Sequence, residues 1–294
     1  MTNYAKEIII PNKSGIFRIV FLYVGQGDST LLVIPDGEEY KYVLIDTNND
    51  KKNGGIDNNA LLKDLLEEGL EVFINTHPHK DHLTGVKTIH DDIGIKEIWH
   101  SGHKPGKEHD DAYQEMEEVV KAIGNQNEFI LFGTNDSNKI RKADKETEVM
   151  KKIGEIDFVI LAPAEFVSED IENEKPKDRY KRIHEQCSVI KFSYGEGGNL
   201  LITGDSDKRA WKDYIYNYHN DKLPSQILSA SHHGSRTFFK DDDEDEDPFE
   251  KHIEKISPLY GIISAPKQSE SPHGHPHDDA LKLYQSIFFD DDFA

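Results

Sequence analysis

Cysteine and basic residues are both scarce in this chain. Its 294 residues include one cysteine, Cys187, so no disulfide can form within the chain and a reducing compartment is expected. Lysine and arginine number 35 against 56 aspartates and glutamates, which gives a net charge of −21. A field of this sign repels nucleic-acid backbones and anionic membranes, which argues against a protein that coats DNA nonspecifically.

Long apolar runs are also missing. No segment approaches the roughly 20 consecutive apolar residues of a membrane-spanning helix, and the start MTNYAKEIIIPNKSG lacks the pattern of a secretion signal. These features predict a cytoplasmic protein with no membrane partner. Apolar side chains still make up 36% of the chain, enough for a sizeable core, so disorder along the whole chain is excluded.

Strand and helix patterns alternate through both halves of the chain. Strands are predicted at residues 16–24, 29–34, 41–46, 71–76, 97–100, 157–161, 188–194, 199–203, 226–230 and 259–264. Amphipathic helices are predicted at residues 58–69, 110–123, 207–218 and 278–288. In each half strands precede helices, which predicts an α/β protein with two β-then-α layers facing each other.

One domain spanning residues 1–294 is expected, with surface insertions near residues 133–155 and 239–250. The first insertion is rich in Asn, Asp and Lys, and the second contains seven consecutive acids at residues 241–247. Such a run predicts a solvated, mobile loop. Calcium capture by the run is a remote alternative.

The densest polar cluster follows the apolar strand at residues 71–76. His77, His79, Asp81 and His82 place three imidazoles and a carboxylate within six residues. Zinc, manganese and iron bind these donor types. In an extended chain His77 and His79 point the same way and can hold one ion. Asp81 and His82 can hold a second ion after the chain bends, whereas a surface loop with chance histidines is the alternative.

The segment HPHKDH resembles the HxHxDH signature of the metallo-β-lactamase superfamily of hydrolases. Three later segments are similar to motifs of that family: Thr203-Gly204-Asp205, SHHGS at residues 231–235 and GHPH at residues 274–277. VGQGDS at residues 24–29 and LIDT at residues 44–47 resemble the ComEC-type competence hydrolase domain and its free-standing relatives. The resemblance covers nearly the whole chain, from Phe21 to Tyr284.

The resemblance implies an αββα four-layer sandwich and two divalent metal ions, with zinc expected and manganese or iron as alternatives. The implied ligands are His77, His79 and His184 at the first site, Asp81, His82 and His275 at the second, and Asp205 between them. The implied catalytic residues are Asp81 and the pair His232 and His233, one of which donates to an anionic substrate oxygen or leaving group.

Several of these assignments leave alternatives open. His184 matches the family spacing, but ComEC-type domains commonly lack a histidine there, so it is alternatively an ordinary surface residue. Which of His232 and His233 acts on substrate is open, as is the choice of His275 over its neighbours. Asp28 and Asp46 are either supporting acids or, for Asp28 after Gly-Gln-Gly, a turn residue.

The resulting prediction is a dinuclear hydrolase that cleaves a phosphodiester, in nucleic acid or a small molecule, with a metal-bound hydroxide. Candidate phosphate contacts beyond the metals are Lys80, Lys104, Ser235 and Arg236. One alternative is a metallo-hydrolase of a non-phosphate ester, thioester or lactam, because the same scaffold supports these reactions. Another is a regulatory protein that binds metal without catalysis.

Overall fold

The computed structural model describes residues 2–172, 175–242 and 244–288. Their strands form two sheets. The first sheet contains β1 Arg18–Phe21, β2 Thr30–Asp36, β3 Glu39–Ile45, β4 Leu70–Asn75, β5 Ile95–His100, β6 Glu128–Ile130, β7 Lys139–Lys142 and β8 Glu148–Met150. The second contains β9 Asp157–Ala162, β10 Val189–Tyr194, β11 Gly198–Ile202, β12 Ile227–Ser229 and β13 Tyr260–Ile262.

The helices lie before, between and after these strands. They are α1 Thr2–Ile9, α2 Asn58–Leu65, α3 Val86–Ile93, α4 Asp110–Ile123, α5 Glu165–Glu172, α6 Pro176–Arg179, α7 Tyr216–His219, α8 Lys251–Ile256 and α9 Asp278–Phe288. A π-helical segment, Ala210–Ile215, leads into α7. No helix in these described ranges is both long and apolar enough to cross a membrane.

Strands that are buried on both faces hold the layers together. Along β2, Leu31 and Val33 pack into the helix-side core, whereas Leu32 and Ile34 pack into the core between the sheets. Because successive strand residues point to opposite faces, a continuous apolar run fills both cores. A third core joins the second sheet to α8 and α9. The predicted αββα sandwich is therefore confirmed.

The segment predicted as an insertion at residues 133–155 contributes to the first sheet. It supplies β7 and β8, and β7 pairs with β6 in antiparallel register. Ile140 and Ile153 are buried in the core between the sheets. The sequence did not predict these two strands, because an edge hairpin buries few side chains and its other residues are largely charged.

The acidic run is anchored to the protein. The side chain of Lys208 is 8% exposed and makes ion pairs with Asp241 and Asp245. It also donates to the carbonyl oxygen of Asp247. A buried ammonium group requires such partners. Lys208 therefore holds the run at Asp241, Asp245 and Asp247, although Asp241 and Asp247 are exposed as predicted, and the mobility of the run stays a prediction.

The fold gathers the histidine segments at one edge. In the first sheet β3 to β6 are parallel, and in the second β11 to β13 are parallel. The carboxyl ends of β4, β11 and β12 lead into His77, Asp205 and His232. Carboxyl ends of parallel strands are the usual place for a site in such sheets.

Candidate metal centre

Asp205 lies at the middle of the site and is held there by tight packing. Its backbone N–H donates to Cys187 Sγ at 3.2 Å. Gly204 before it has a φ of +49°, and a Cβ there would come within 2.5 Å of Cys187 Sγ and 2.7 Å of Thr76 Oγ1. Only glycine allows this approach, so the Thr-Gly-Asp sequence places the carboxylate between the two sheets.

The two oxygens of Asp205 face different histidines. Oδ2 lies 3.5 Å from His77 Nε2 and 3.9 Å from His184 Nε2. Oδ1 lies 3.3 Å from His82 Nε2 and 3.6 Å from His233 Nε2. Metal–ligand bonds of about 2.0–2.2 Å in a tetrahedron separate the donor atoms by roughly 3.4 Å. The spacing around each oxygen therefore fits one ion, with Asp205 shared.

Two groups of donors share Asp205. The first comprises His77, His79, His184 and Asp205, and the second comprises Asp28, His82, Asp205 and His233. Within each group the ligand atoms all lie within 4.8 Å of one another. Four-donor sets of imidazole and carboxylate are typical of zinc, iron and manganese sites.

Hydrogen bonds fix the tautomers so that Nε2 faces the centre. His82 Nδ1 donates to Asp46 Oδ2 at 2.8 Å, because a carboxylate only accepts. Thr76 Oγ1 donates its proton to the same Oδ2 and so accepts from His77 Nδ1 at 3.2 Å. His233 Nδ1 donates to the carbonyl oxygen of Ser264 at 3.0 Å. Each Nε2 therefore retains its lone pair for a cation.

Asp46 stabilises the orientation of these rings from the side opposite the Nε2 atoms. It is 1% exposed and has a φ of +55°, an uncommon conformation for a residue other than glycine. Its Oδ1 also accepts from the backbone of Thr76 at 2.8 Å and from Asn75. The carboxylate of Asp46 thus positions one histidine of each donor group: His82 by a direct hydrogen bond and His77 through Thr76.

Asp46→Asn is expected to weaken metal binding by about 10- to 100-fold. The amide Nδ2 would donate to His82 Nδ1 and force the ring proton onto Nε2, which removes the lone pair. Titration against a chromophoric chelator measures the affinity, and Asp64→Asn on the exposed face of α2 is the matched control. Equal affinity in Asp46→Asn and the control would contradict this role.

Several polar atoms at the centre lack hydrogen-bond partners among the described residues. They are His77 Nε2, His82 Nε2, His184 Nε2, His233 Nε2 and Asp205 Oδ1. A buried polar atom without a partner costs about 1–3 kcal/mol, so such atoms are rarely grouped without a reason. All five face the space between the donors. The residues therefore fit two divalent cations.

The electrostatics of the centre also call for positive charge. Burial alone would raise the pKa of Asp205, but His232 and His82 hold that pKa well below its usual value. Burial opposes protonation of His233, yet the carboxylates of Asp205 and Asp28 raise its pKa to about 9. Burial also lowers the pKa of His77 well below its usual value. Metal ions can replace the protons that the carboxylates attract.

Two residues predicted to be metal ligands, His275 and Asp81, are not members of the two donor groups. His275 is outside both donor groups, with its ring centroid 6.1 Å from that of His233, which lies in the second group instead. Asp81 Oδ2 lies 3.6 Å from His233 Nε2, at the rim of that group. The ligand role of His275 stays a prediction without support from this grouping.

His232 and His233 occupy different environments although they are adjacent. Both have positive φ, +50° and +56°, which turns their side chains in different directions. The His233 side chain is 1% exposed, whereas that of His232 is 18% exposed, with Nε2 3.5 Å from Asp205 Oδ2. His232 Nδ1 contacts Thr237 Oγ1 at 2.9 Å. His232 is thus the more accessible member.

Two residues join the centre beyond the ligands that the sequence predicted: Asp28, expected to be a supporting acid or a turn residue, and His109. Asp28 is buried, and burial raises its pKa to about 6 despite the nearby His233 and His82. A Cβ at Gly27 would lie 2.3 Å from the carbonyl oxygen of Asp81, so the glycine brings Asp28 close to the histidine loop. His109 stacks on His79 with ring centroids 4.1 Å apart. The two glycines before Asp28 were the available sequence signal, whereas His109 had none.

Among the candidate phosphate contacts, Lys104 lines a cavity beside the centre. Arg236 is paired with Asp279 at 3.2 Å. Ser235 is 1% exposed and receives hydrogen bonds from Thr237. Lys80 follows His79, and its backbone N–H donates to His109 Nδ1. Ser235 therefore supports the loop carrying His232, and direct phosphate contact by these four residues stays a prediction.

The fold of this chain is similar to that of several solved structures, although its sequence has little in common with theirs. No family model matches the chain, and no curated protein matches its sequence. Solved structures that are similar include CmlA, a diiron beta-hydroxylase from Streptomyces venezuelae, at 12% identity and a TM-score of 0.48. The match covers 92% of this chain and 51% of CmlA, so the chain spans about half the length of CmlA.

Two other solved structures match along most of their length. The metallo-beta-lactamase fold protein YhfI from Bacillus subtilis has 13% identity and a TM-score of 0.48, with 91% of this chain and 92% of YhfI covered. A possible metal-dependent hydrolase from Veillonella parvula has 10% identity and a TM-score of 0.49, with coverage of 94% and 95%. The finer resemblance to ComEC-type domains stays a prediction. The chain is an αββα sandwich similar to proteins with the metallo-β-lactamase fold.

Proposed function

We propose that the protein is a dinuclear metal-dependent hydrolase that cleaves a phosphodiester bond. The observation that carries the proposal is Asp205, whose two oxygens face two separate sets of unpartnered imidazole nitrogens. His77, His79 and His184 hold the first ion, and His82, His233 and Asp28 hold the second. Two bound divalent ions lower the pKa of water and offset negative charge on a reacting oxygen.

The residues around the ligands have separate tasks in this proposal. Asp81 Oδ2, at the rim and 23% exposed, accepts a proton from the attacking water and orients it. His232 Nδ1 contacts Thr237 Oγ1, and in this proposal the neutral ring carries its proton at Nε2. From there His232 donates a hydrogen bond to an oxygen of the substrate, where negative charge develops.

The surroundings favour an anionic substrate. A cavity of about 350 Å³ beside His184 is lined by Lys208, Arg209, Lys240 and Thr237 as well as acids. Each of these cations pairs with a carboxylate, so in this proposal the two metal ions supply the positive charge that attracts an anion to the opening. A phosphodiester carries the negative charge that such an opening attracts, whereas a lactam or thioester does not require it.

A substrate panel tests the proposal. Protein loaded with zinc or manganese is expected to hydrolyse bis-p-nitrophenyl phosphate, DNA or RNA, and removal of the metal with a chelator should abolish the activity. Cleavage of a thioester or lactam alone would overturn the phosphodiester assignment. A metal-loaded protein that cleaves none of these substrates would overturn the enzyme assignment and favour a regulatory role.

A further inference from the structure

A second cavity beside the metal centre has a basic lining. Its volume is about 240 Å³, and His103, Lys104, Lys145 and Arg179 line it together with Gln186. We call it the His103 pocket. The short helical turn His184–Gln186 connects it with the centre, because His184 belongs to the first donor group and Gln186 lines the pocket. The first cavity described, by contrast, contains His184 and Glu185.

Two buried side chains in the pocket have unpartnered nitrogens. His103 is 7% exposed and Gln186 is 1% exposed. Among the described residues neither His103 Nε2 nor Gln186 Nε2 has a hydrogen-bond partner. An amide nitrogen can only donate, and an unpaired buried donor is unfavourable. An oxygen atom of a bound group would satisfy it.

Two cations of the pocket, Lys104 and Arg179, are available to such a group. In the described ranges no carboxylate pairs with Lys104 or Arg179, whereas Arg236, like Lys240, pairs with Asp279. Burial, with Lys145, His100 and Arg179 adding their charge, lowers the pKa of His103 to about 3. The pocket therefore has a positive potential that favours an anion, and the forked guanidinium of Arg179 suits phosphate oxygens.

We propose that the His103 pocket binds a second phosphate group of the substrate. The substrate class is then a phosphodiester that carries another phosphate nearby, as in a nucleotide chain or a doubly phosphorylated nucleotide. Two segments that line the pocket also reach the centre: the loop after β5 leads to His109, which stacks on His79, and the other contains His184. The assignment of substrate class rests on the proposed function, whereas the binding of phosphate in the pocket does not.

Calorimetric titration of the metal-loaded protein at low salt tests the pocket. Thymidine 3′,5′-bisphosphate is expected to bind about tenfold more tightly than thymidine 5′-monophosphate, because the second phosphate gains charge-assisted hydrogen bonds. Arg179→Gln and Gln186→Leu should each reduce this preference to about twofold or less. Lys107→Gln, an exposed lysine on the same loop that does not line the pocket, is the matched control and should retain it.

Equal binding of the two nucleotides by the unchanged protein would overturn the proposal, as would a preference that survives both Arg179→Gln and Gln186→Leu.

A kinetic comparison then separates this inference from the proposed function. The p-nitrophenyl ester of thymidine 5′-phosphate should have a KM about tenfold lower when a 3′-phosphate is present. If neither ester is cleaved but the binding preference stands, the proposed reaction fails and the phosphate pocket remains.

The same titration distinguishes the two sources of a second phosphate. A single-stranded tetranucleotide that binds more tightly than thymidine 3′,5′-bisphosphate indicates a nucleic-acid strand, and equal affinity indicates a nucleotide. In both cases Arg179→Gln must weaken binding for the proposal to stand. Binding that is unaffected by Arg179→Gln for both ligands would contradict it.

Discussion

Asp205→Asn is expected to lower hydrolysis by about 10³-fold or more and to reduce the occupancy of both metal sites at once. Loss of one electrostatic contributor in an active site commonly costs about 10²–10³-fold. Asp205 serves two sites, since Oδ2 faces His77 and Oδ1 faces His82. Elemental analysis and steady-state rates on the same preparations measure both effects.

The matched control for this variant is Asp213→Asn. Asp213 is exposed on the π-helical segment that follows the Asp205 loop, so its variant loses the same charge outside the centre. It should retain full activity and both ions. If Asp205→Asn behaved like this control, the bridging role of Asp205 would be wrong.

His233→Ala is expected to lower metal content, whereas His232→Ala is expected to lower the reaction rate and leave metal content unchanged. His233 is buried with Nε2 facing Asp205 Oδ1, and its Nδ1 is committed to Ser264, so the alanine variant should retain one ion and lose the second. His232 is more exposed and lies outside both donor groups. His232→Ala should retain both ions and lose about 10²–10⁴-fold in rate, the usual worth of a positioned proton donor.

Metal content decides between the two roles. His275→Ala belongs in the same series, because the sequence resemblance implies that His275 is a ligand, whereas His233 lies in the second donor group. Loss of an ion in His275→Ala but not in His233→Ala would reverse the assignment. Full activity in His232→Ala would remove that residue from the reaction.

Local sequence patterns predicted the elements that form one face of the centre. The helix predicted at residues 110–123 is α4, because its apolar face is regular and Gly124 ends it. The strand before His77, predicted from its apolar run, is β4, and the structure buries most of its residues on both faces. The spacing of His77, His79 and His82 then brought their rings together, as the proximity of successive residues requires.

Contacts between distant segments were the part that sequence patterns could not supply. Asp28 joins the second donor group because Gly27 packs against the backbone of Asp81. Neither propensity nor periodicity records such an approach between two loops. The presence of His233 in the second donor group depends likewise on its positive φ and on its hydrogen bond to Ser264, both set by tertiary packing.

The His103 pocket also arises from tertiary structure. His103 and Gln186 are 83 residues apart in the numbering, and neither belongs to a recognisable motif. They meet because the end of β5 and the start of β10 lie near the same edge of the sandwich, in different sheets. Lys104 was predicted as a phosphate contact from its charge alone, and the structure adds its neighbours Arg179 and His103.

Anomalous X-ray scattering from crystals of the metal-loaded protein tests the central claim most directly. The bridging role of Asp205 predicts two metal peaks roughly 3.5–4 Å apart. One should lie between Asp205 Oδ2 and the rings of His77 and His184, and the other between Asp205 Oδ1 and the rings of His82 and His233. A single peak, or no peak beside Asp205 after loading with zinc, manganese or iron, would contradict the dinuclear centre.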